Sequence, residues 1–244
     1  MDRDAAILLL HGFSTTSRAW SRVRAAGLDA SARVLAPDLR GHGRAGAVRP
    51  VDLAGVLDDL AALTPGPCVL GGYSQGGRIA LHAALDPRIG PRLSRLVLIG
   101  ASPGLADPAE RAARRVSDEA LARELEQGSI QAFAHRWAET PVLAGLVPEL
   151  AAEAHADRLH NSPAGLAAAL RGLGTGALPS LWERLDQLTL PVTLLAGERD
   201  TKFTHLAEEM ARALPRAEVV IVPGAGHQVH LEAPAVVAAA LLSG

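Results

Sequence analysis

The chain has 244 residues, of which 48% are hydrophobic and 20% charged. This composition is typical of a globular protein with one domain, or with a core and an inserted lobe. The net charge is -2 at pH 7, so no global field favours nucleic acid or an anionic membrane, and an anionic ligand would need a local cluster of cations. No segment reaches the roughly 20 apolar residues of a membrane span, and no signal peptide opens the chain. We therefore expect a cytoplasmic protein without stable membrane association.

Two rare residue types narrow the setting further. Cys68 is the only cysteine, which excludes an intrachain disulfide or a cysteine metal cluster, and its apolar surroundings indicate a buried structural thiol. Lys202 is the only lysine, and every other Lys/Arg position is arginine. Together with abundant alanine, this bias indicates a GC-rich bacterial genome.

Short apolar runs alternate with helix-length amphipathic segments along the chain. The runs are 5–10, 32–37, 67–72, 93–100, 190–197 and 217–224, and the amphipathic segments include 50–63 and 204–214. Continuous apolar strands separated by helices predict an α/β fold with a mostly parallel sheet of about six strands, flanked by helices. Active sites in such sheets gather at the carboxyl ends of the strands.

This alternation stops between the fourth and fifth runs. Residues 103–188 contain helix-forming segments such as "PAERAARRVSDEALARELEQG" and no convincing strand. We interpret them as an inserted helical lid, with Pro103-Gly104 and 174–180 as its hinges. The predicted core then consists of residues 1–102 and 189–244.

Ser74 lies in "GYSQG" (72–76), directly after the third run and before a helical segment. The G-x-S-x-G pattern in a strand–turn–helix context predicts a nucleophile elbow. Flanking glycines relieve the steric clashes that the tight turn would otherwise cause. A serine becomes reactive only when an imidazole accepts its proton.

Nine histidines compete for that role. His227 follows the last strand on a glycine-rich loop, and the order Ser…Asp…His matches this kind of fold. We interpret His230 as a packing or capping residue and His42 as loop structure that lines the site. His82 is expected to point away from Ser74 on the following helix. Three more histidines belong to the predicted lid, where we expect them to be solvated: His135, His155 and His160.

Asp200 follows the fifth strand and is the predicted acid, which would hold the imidazole tautomer and stabilise the imidazolium. Glu198 is the nearest alternative, and Asp38, which follows the second strand, is a weaker one.

"HGF" (11–13) follows the first strand. The backbone N–H groups of Phe13 and Gln75 are therefore expected to form an oxyanion hole, in which both donate to one negatively charged oxygen. No histidine–carboxylate cluster has metal-ligand spacing. "GGYSQGG" lacks the lysine of a phosphate loop and the spacing of a dinucleotide site. We therefore expect neither a metal nor a cofactor.

Arg78 follows Ser74 by four residues, so both lie on one helix face. An ordinary esterase has little use for a buried cation there, whereas a carboxylate-bearing substrate does, because arginine binds carboxylates bidentately. The lid offers further cations, and together they favour a polyanionic small molecule. These are Arg111, Arg114, Arg115, Arg158 and Arg171.

Several longer segments resemble one family of α/β-hydrolases, the 2-succinyl-6-hydroxy-2,4-cyclohexadiene-1-carboxylate synthases of menaquinone biosynthesis. The resemblance covers nearly the whole chain, and its more specific elements are "SPGL…ER..RR..D", "W…P", "GTG..PSLW" and "GE.DTKF". It implies an α/β-hydrolase fold, and about six parallel strands because the chain begins almost at the strand before "HGF". Ala45 departs from the serine that hydrolases often carry after "GHGR".

The resemblance also implies the chemistry. The family eliminates pyruvate from a cyclohexene that bears three carboxylates, with the Ser74, His227 and Asp200 triad as the base and the Phe13 and Gln75 amides on the enolate. It further implies carboxylate-binding and pocket residues, namely Arg78, Arg114, Arg158, Tyr73 and Trp137.

The sequence is also compatible with two other functions. A carboxylesterase or C–C bond hydrolase would use Ser74 covalently and would tolerate the loss of Arg78. A ligand-binding module on an inactive hydrolase scaffold is an alternative from a different functional class. The intact triad and "HGF" argue against it, because an inactive scaffold has no need to keep them. Fold alone does not decide among these functions.

We expect a monomer or a small homo-oligomer.

Overall fold

The computed structural model describes residues 6–64 and 66–243. Its sheet has six strands in the order β2-β1-β3-β4-β5-β6, and every neighbouring pair is parallel. The strands are β1 Ala6–Leu10, β2 Arg33–Leu35, β3 Cys68–Tyr73, β4 Leu93–Ile99, β5 Val192–Gly197 and β6 Ala217–Val222. The predicted six-stranded parallel sheet is thus confirmed; residue 5 of the first predicted run lies outside the described residues.

Helices cover the sheet on both faces, as continuous apolar strands require. Side chains alternate along β1: Leu8 and Leu10 belong to one core cluster with α3, α4 and α9, whereas Ile7 and Leu9 belong to the other with α1 and α11. The helices are α1 Ser21–Val23, α2 Asp29–Ser31, α3 Leu53–Leu63, α4 Gln75–Ala84, α5 Pro108–Gln127, α6 Ile130–Ala138, α7 Pro148–Arg158, α8 Pro163–Leu173, α9 Thr201–Ala213, α10 Val229–Glu232 and α11 Pro234–Leu242.

Four helices, α5 to α8, lie between the end of β4 and the start of β5. They contribute to a small apolar cluster of their own, which includes Leu125, Phe133 and Leu166. The two connections to this layer lie side by side: Leu181 N–H donates to the Pro103 carbonyl at 2.8 Å, and Trp182 Nε1–H donates to the Gly104 carbonyl at 3.2 Å. The segment predicted as a lid therefore forms a helical layer of its own.

The start of α4 packs tightly on the end of β1. A Cβ atom added to Gly76 would lie 2.2 Å from the Leu10 carbonyl oxygen and 2.5 Å from that of His11. A Cβ on Gly72 would lie 2.6 Å from the Gly76 carbonyl oxygen. Glycine is required at both positions because a Cβ atom would collide with backbone carbonyl groups, which cannot move without distorting the strand or the helix.

We predict that Gly76→Ala lowers the free energy of unfolding by about 3 kcal/mol or more, because the added methyl group collides with fixed carbonyl groups. Urea denaturation of both proteins measures the difference. The matched control is Gly66→Ala, since a Cβ there meets nothing within 4 Å. Equal unfolding midpoints for Gly76→Ala and Gly66→Ala would contradict this account of the elbow.

Candidate active site

Ser74 sits between the last residue of β3 and the first residue of α4 in a strained conformation, with φ 51° and ψ -110°. Such a conformation costs about 1–3 kcal/mol in a residue other than glycine and persists only where the surroundings enforce it. Here the Ser74 N–H donates to the Ile99 carbonyl at 2.9 Å. The strained turn presents the side chain at the carboxyl edge of the sheet, as expected of a nucleophile elbow.

His227 and Asp200 form a close, buried pair at the same edge. His227 Nδ1 lies 2.6 Å from Asp200 Oδ2, and their side chains are 4% and 8% exposed. Because this carboxylate accepts the Nδ1 proton, Nε2 is left free to accept a proton from a serine. The ring is held by Phe203 at 4.5 Å between centroids. It also faces Gly100, where a Cβ would lie 2.8 Å from His227 Cε1.

The alternative acids are engaged elsewhere. Glu198 Oε2 accepts the Gly224 N–H at 2.8 Å, which fixes the turn after β6. Asp38 accepts the Ser17 N–H at 2.7 Å and the Arg44 N–H at 2.9 Å. Burial opposes ionisation of Asp38, but these hydrogen bonds outweigh it and lower the pKa of the carboxyl to about 2. Neither carboxylate replaces Asp200 beside His227.

The loop after β1 passes directly against the serine. A Cβ on Gly12 would lie 3.6 Å from Ser74 Cβ, so the following residue, Phe13, is positioned near the reacting atom. Gln75 is the first residue of α4, where a backbone N–H has no acceptor within its own helix. Two amides can thus face an oxygen at this point, as an oxyanion hole requires.

His11 holds this loop, a role that its position inside "HGF" did not reveal. Its ring is fully buried; Nε2 accepts the Leu39 N–H at 2.9 Å, and Nδ1 lies 2.8 Å from the Gly12 carbonyl oxygen. Accepting at Nε2 assigns the proton to Nδ1. Burial lowers the pKa of His11, so the neutral ring acts as a bridge between the first two strand ends.

A cavity of about 70 Å³ lies over the triad. Its lining includes Ser74 and His227 together with Phe13, Tyr73, Trp137 and Arg158. Larger cavities occur elsewhere, including one of about 690 Å³ at the amino ends of the strands near Ile7, Val192 and Ala217. Size does not select the site here, because that larger cavity contains none of the triad residues and lies at the opposite edge of the sheet.

Two of the predicted arginines are buried. Arg78 is 7% exposed and Arg158 is 2% exposed, and for both the Nε atom has no hydrogen-bond partner within residues 6–64 and 66–243. Burial and the nearby charge of Arg114 lower the pKa of Arg78 to about 10. Burial also lowers the pKa of Arg158, against the opposing effect of Tyr73 and Asp157. Both guanidiniums remain cationic at neutral pH and are therefore candidates for anion binding.

The other lid arginines differ in their surroundings. Arg114 bonds Asp118 on α5 and is 43% exposed, while Arg171 pairs with glutamates on the lid surface. Arg111 and Arg115 donate to backbone carbonyl groups of the lid. Of these five lid arginines, only Arg158 lines the cavity over the triad. Arg78, Arg114 and the side chain of Gln75 lie outside that lining, toward α5 and α8.

Lid residues that sequence reasoning missed attach α7 to the core. Asp157 accepts the Thr16 N–H at 2.9 Å and also bonds the Thr16 hydroxyl. Asn161 Nδ2 donates to the Ser14 carbonyl at 2.8 Å, and its Oδ1 accepts the Gly43 N–H at 3.0 Å. Because Arg158 follows Asp157 at the end of α7, these bonds hold the part of the lid that carries Arg158 against the core.

Three further histidines lie near the site but outside the lining of the cavity over the triad. His42, predicted to line the site, instead packs behind Phe13, with 5.8 Å between ring centroids. His230, in α10, packs on Tyr73 with 4.1 Å between ring centroids, as expected of a packing residue. His82 is buried on α4, and burial, with Arg78 and Arg184 nearby, lowers its pKa to about 4. None of the three lines the cavity over the triad.

The chain is similar to known proteins along most of its length. Residues 7–240 match the alpha/beta hydrolase family. A 2-succinyl-6-hydroxy-2,4-cyclohexadiene-1-carboxylate synthase of Salmonella schwarzengrund (strain CVM19633) is 36% identical over 94% of this chain and 89% of its own. A Bacillus subtilis (strain 168) protein, provisionally given the same name, is 35% identical over 94% of this chain and 86% of its own.

This chain belongs to that synthase family within the alpha/beta hydrolases. The solved structure of MenH from S. aureus superimposes with a TM-score of 0.92 at 31% identity, over 99% of this chain and 93% of that one. The predicted α/β-hydrolase fold and family are thereby confirmed.

Within residues 6–64 and 66–243, no group of three or more His, Cys, Asp or Glu side chains could hold a metal ion. In the same part of the chain, no helix is both long and apolar enough to cross a membrane.

The buried His230 predicts a pH dependence of stability. Burial, with His227 nearby, lowers its pKa from 6.5 to about 3, so between these values the unfolded chain holds a proton that the folded protein lacks. Its contribution to stability is complete above pH 6.5 and is lost as the pH falls. We expect His230→Phe to remove about one proton from the uptake on unfolding near pH 5.

Urea unfolding at several pH values between 4 and 7 gives this proton number from the slope of the unfolding free energy. The exposed His135 on α6 supplies the control variant, His135→Gln, which should keep the slope of the parent. A parental slope in His230→Phe would show that this imidazole takes up no proton on unfolding near pH 5.

Proposed function

We propose that this protein is a carbon–oxygen lyase that eliminates pyruvate from 2-succinyl-5-enolpyruvyl-6-hydroxy-3-cyclohexene-1-carboxylate in menaquinone biosynthesis. The product is 2-succinyl-6-hydroxy-2,4-cyclohexadiene-1-carboxylate. The observation that carries the proposal is the pair of buried arginines, Arg78 and Arg158, whose Nε atoms have no hydrogen-bond partner in the described chain. Family membership supports the same activity.

The reaction begins at the ring carbon that bears the succinyl ketone. Ser74 Oγ takes the proton from this carbon while its own proton passes to His227 Nε2, and Asp200 stabilises the resulting imidazolium. The negative charge moves to the ketone oxygen, where the Phe13 and Gln75 amides accept it as an oxyanion hole. The catalytic serine is thus a base and forms no acyl intermediate.

Elimination then follows through the existing ring double bond. The enolate electrons re-form the ketone, the double bond at carbon 3 shifts so that carbons 2–3 and 4–5 become double bonds, and the carbon–oxygen bond at carbon 5 breaks. The leaving enolpyruvate takes a proton from His227 and tautomerises to pyruvate. All atoms and protons balance, and the triad returns to its starting state.

The substrate carries three carboxylates, and three arginines are the candidates to bind them. Arg78 and Arg158 are buried, and Arg114 is half-exposed at the edge of the lid. A charge-assisted hydrogen bond contributes about 1.5–3 kcal/mol. A buried guanidinium without a carboxylate partner pays a desolvation cost that a bound carboxylate offsets. Tyr73 and Trp137 would contact the ring.

The cavity over the triad measures about 70 Å³, whereas pockets for molecules of this size are typically about 300–1,000 Å³. Binding therefore requires an outward movement of the lid residues that close the cavity, among them Trp137, Val142 and Leu143. The hydrogen-bonded pair of connections at Pro103 and Leu181 is the natural pivot for such a movement.

The decisive assay incubates the pure protein with the enolpyruvyl cyclohexene substrate and couples released pyruvate to lactate dehydrogenase. We expect rapid release that Ser74→Ala abolishes. Hydrolysis of p-nitrophenyl acetate is measured in parallel. Ester turnover without pyruvate release would overturn the proposal and leave a carboxylesterase or C–C bond hydrolase.

Arg78 separates the two activities. We predict that Arg78→Ala lowers kcat/KM for pyruvate release by roughly 30- to 150-fold, the equivalent of about 2–3 kcal/mol of lost charge-assisted binding, and leaves ester hydrolysis nearly unchanged. The control is Arg88→Ala, which removes an arginine paired with Asp58 and Asp86 on the surface. A loss shared equally by both variants, or by both substrates, would count against a role for Arg78 in carboxylate binding.

A further inference from the structure

Asp118 on α5 is a buried carboxylate that belongs to neither the triad nor the oxyanion hole. Its side chain is 6% exposed, although most side chains of this 20-residue helix are exposed. Oδ1 accepts the Arg114 Nε–H at 2.7 Å. A carboxylate is rarely buried unless a partner holds it, and here that partner is one of the arginines implied in substrate binding.

Asp118 is also fixed to the turn that follows α8. Its Oδ2 accepts the Gly176 N–H at 3.4 Å, and a Cβ on Gly174 would lie 2.6 Å from the same oxygen. The turn therefore fits closely around the carboxylate. The adjacent Leu173 carbonyl accepts a hydrogen bond from Gln75 Nε2 at 3.2 Å, so this turn connects Asp118 with the first residue of α4.

The carboxylate is close enough to Arg78 to influence it. Among the charges that act on the buried Arg78, that of Arg114 disfavours the cationic form and that of Asp118 favours it. Two guanidiniums near each other repel unless an anion lies with them. Without substrate, Asp118 supplies that negative charge on the lid side.

We propose that Asp118 is a positioning residue, which holds the Arg114 guanidinium by its Nε–H beside Arg78 so that both can bind the carboxylates of the substrate. The assignment rests on the proposed function for the identity of those carboxylates. An arginine that is bonded at Nε keeps its terminal N–H groups free to bind a carboxylate. The bond also restricts the Arg114 side chain before substrate binds, so binding costs less conformational entropy.

A double-mutant cycle tests this assignment in the pyruvate-release assay. We expect Asp118→Ala to raise KM about tenfold with little change in kcat, and Arg114→Ala to raise KM at least as much. In the Arg114→Ala background, Asp118→Ala should add less than about twofold, because its partner is already gone. Independent, multiplicative effects on KM would overturn the assignment.

Glu119→Ala is the matched control on the same helix. Glu119 bonds Arg123 and Arg171 on the lid surface, so its loss disturbs α5 without touching the arginines near the site. KM should stay at the parental value, and thermal melts compare the stability of the variants. If Asp118→Ala is unfolded, Asp118→Asn replaces it; a severalfold rise in KM that disappears in the Arg114→Ala background is then expected.

Calorimetry with tricarballylate, a small anion with three carboxylates, separates this proposal from the proposed function. Weaker binding to Asp118→Ala than to Glu119→Ala supports the assignment even if the parent releases no pyruvate, an outcome that would overturn only the reaction. Conversely, if the parent releases pyruvate and Asp118→Ala matches Glu119→Ala in both KM and tricarballylate affinity, the positioning role is wrong and the reaction stands.

Discussion

The close approach of the Gly76 backbone to the carbonyl groups of Leu10 and His11 is the constraint on which the site depends. It allows α4 to begin directly beside the end of β1. Ser74 lies in its strained conformation just before this contact, and the loop that carries Phe13 passes beside it. Under the proposed function, this tight packing fixes the loop after β1 and the start of α4 before any substrate binds, which is the preorganisation that electrostatic catalysis requires.

Much of this arrangement could be predicted from the sequence because a parallel sheet places the carboxyl ends of its strands at one edge. Ser74, Asp200 and His227 each follow a different apolar run, far apart in the chain, and the structure brings them to the same edge. The strand boundaries shifted by only a few residues. Glycine spacing around Ser74 and the chain order of the three residues carried the remaining information.

The attachment of the lid could not be predicted in this way. The bonds from Asp157 to Thr16 and from Asn161 to Ser14 join residues 141 and 147 positions apart, and no local pattern indicates such pairs. Likewise, helical spacing shows which arginines share a face but not which face points inward. Arg158 is buried against the core while Arg171 is on the surface, because tertiary packing of the lid decides the orientation.

The two chain connections of the helical layer lie side by side, joined by the hydrogen bond from the Leu181 N–H to the Pro103 carbonyl, so the chain enters and leaves the layer at one place. An evolving lineage can exchange everything between these residues while the sheet and the triad keep their geometry. In such an exchange the lid arginines would leave together, but Arg78, anchored in the core, would remain. The inherited scaffold thus keeps one buried cation four residues after the serine, and the other arginines of the proposed substrate site belong to the replaceable helical layer.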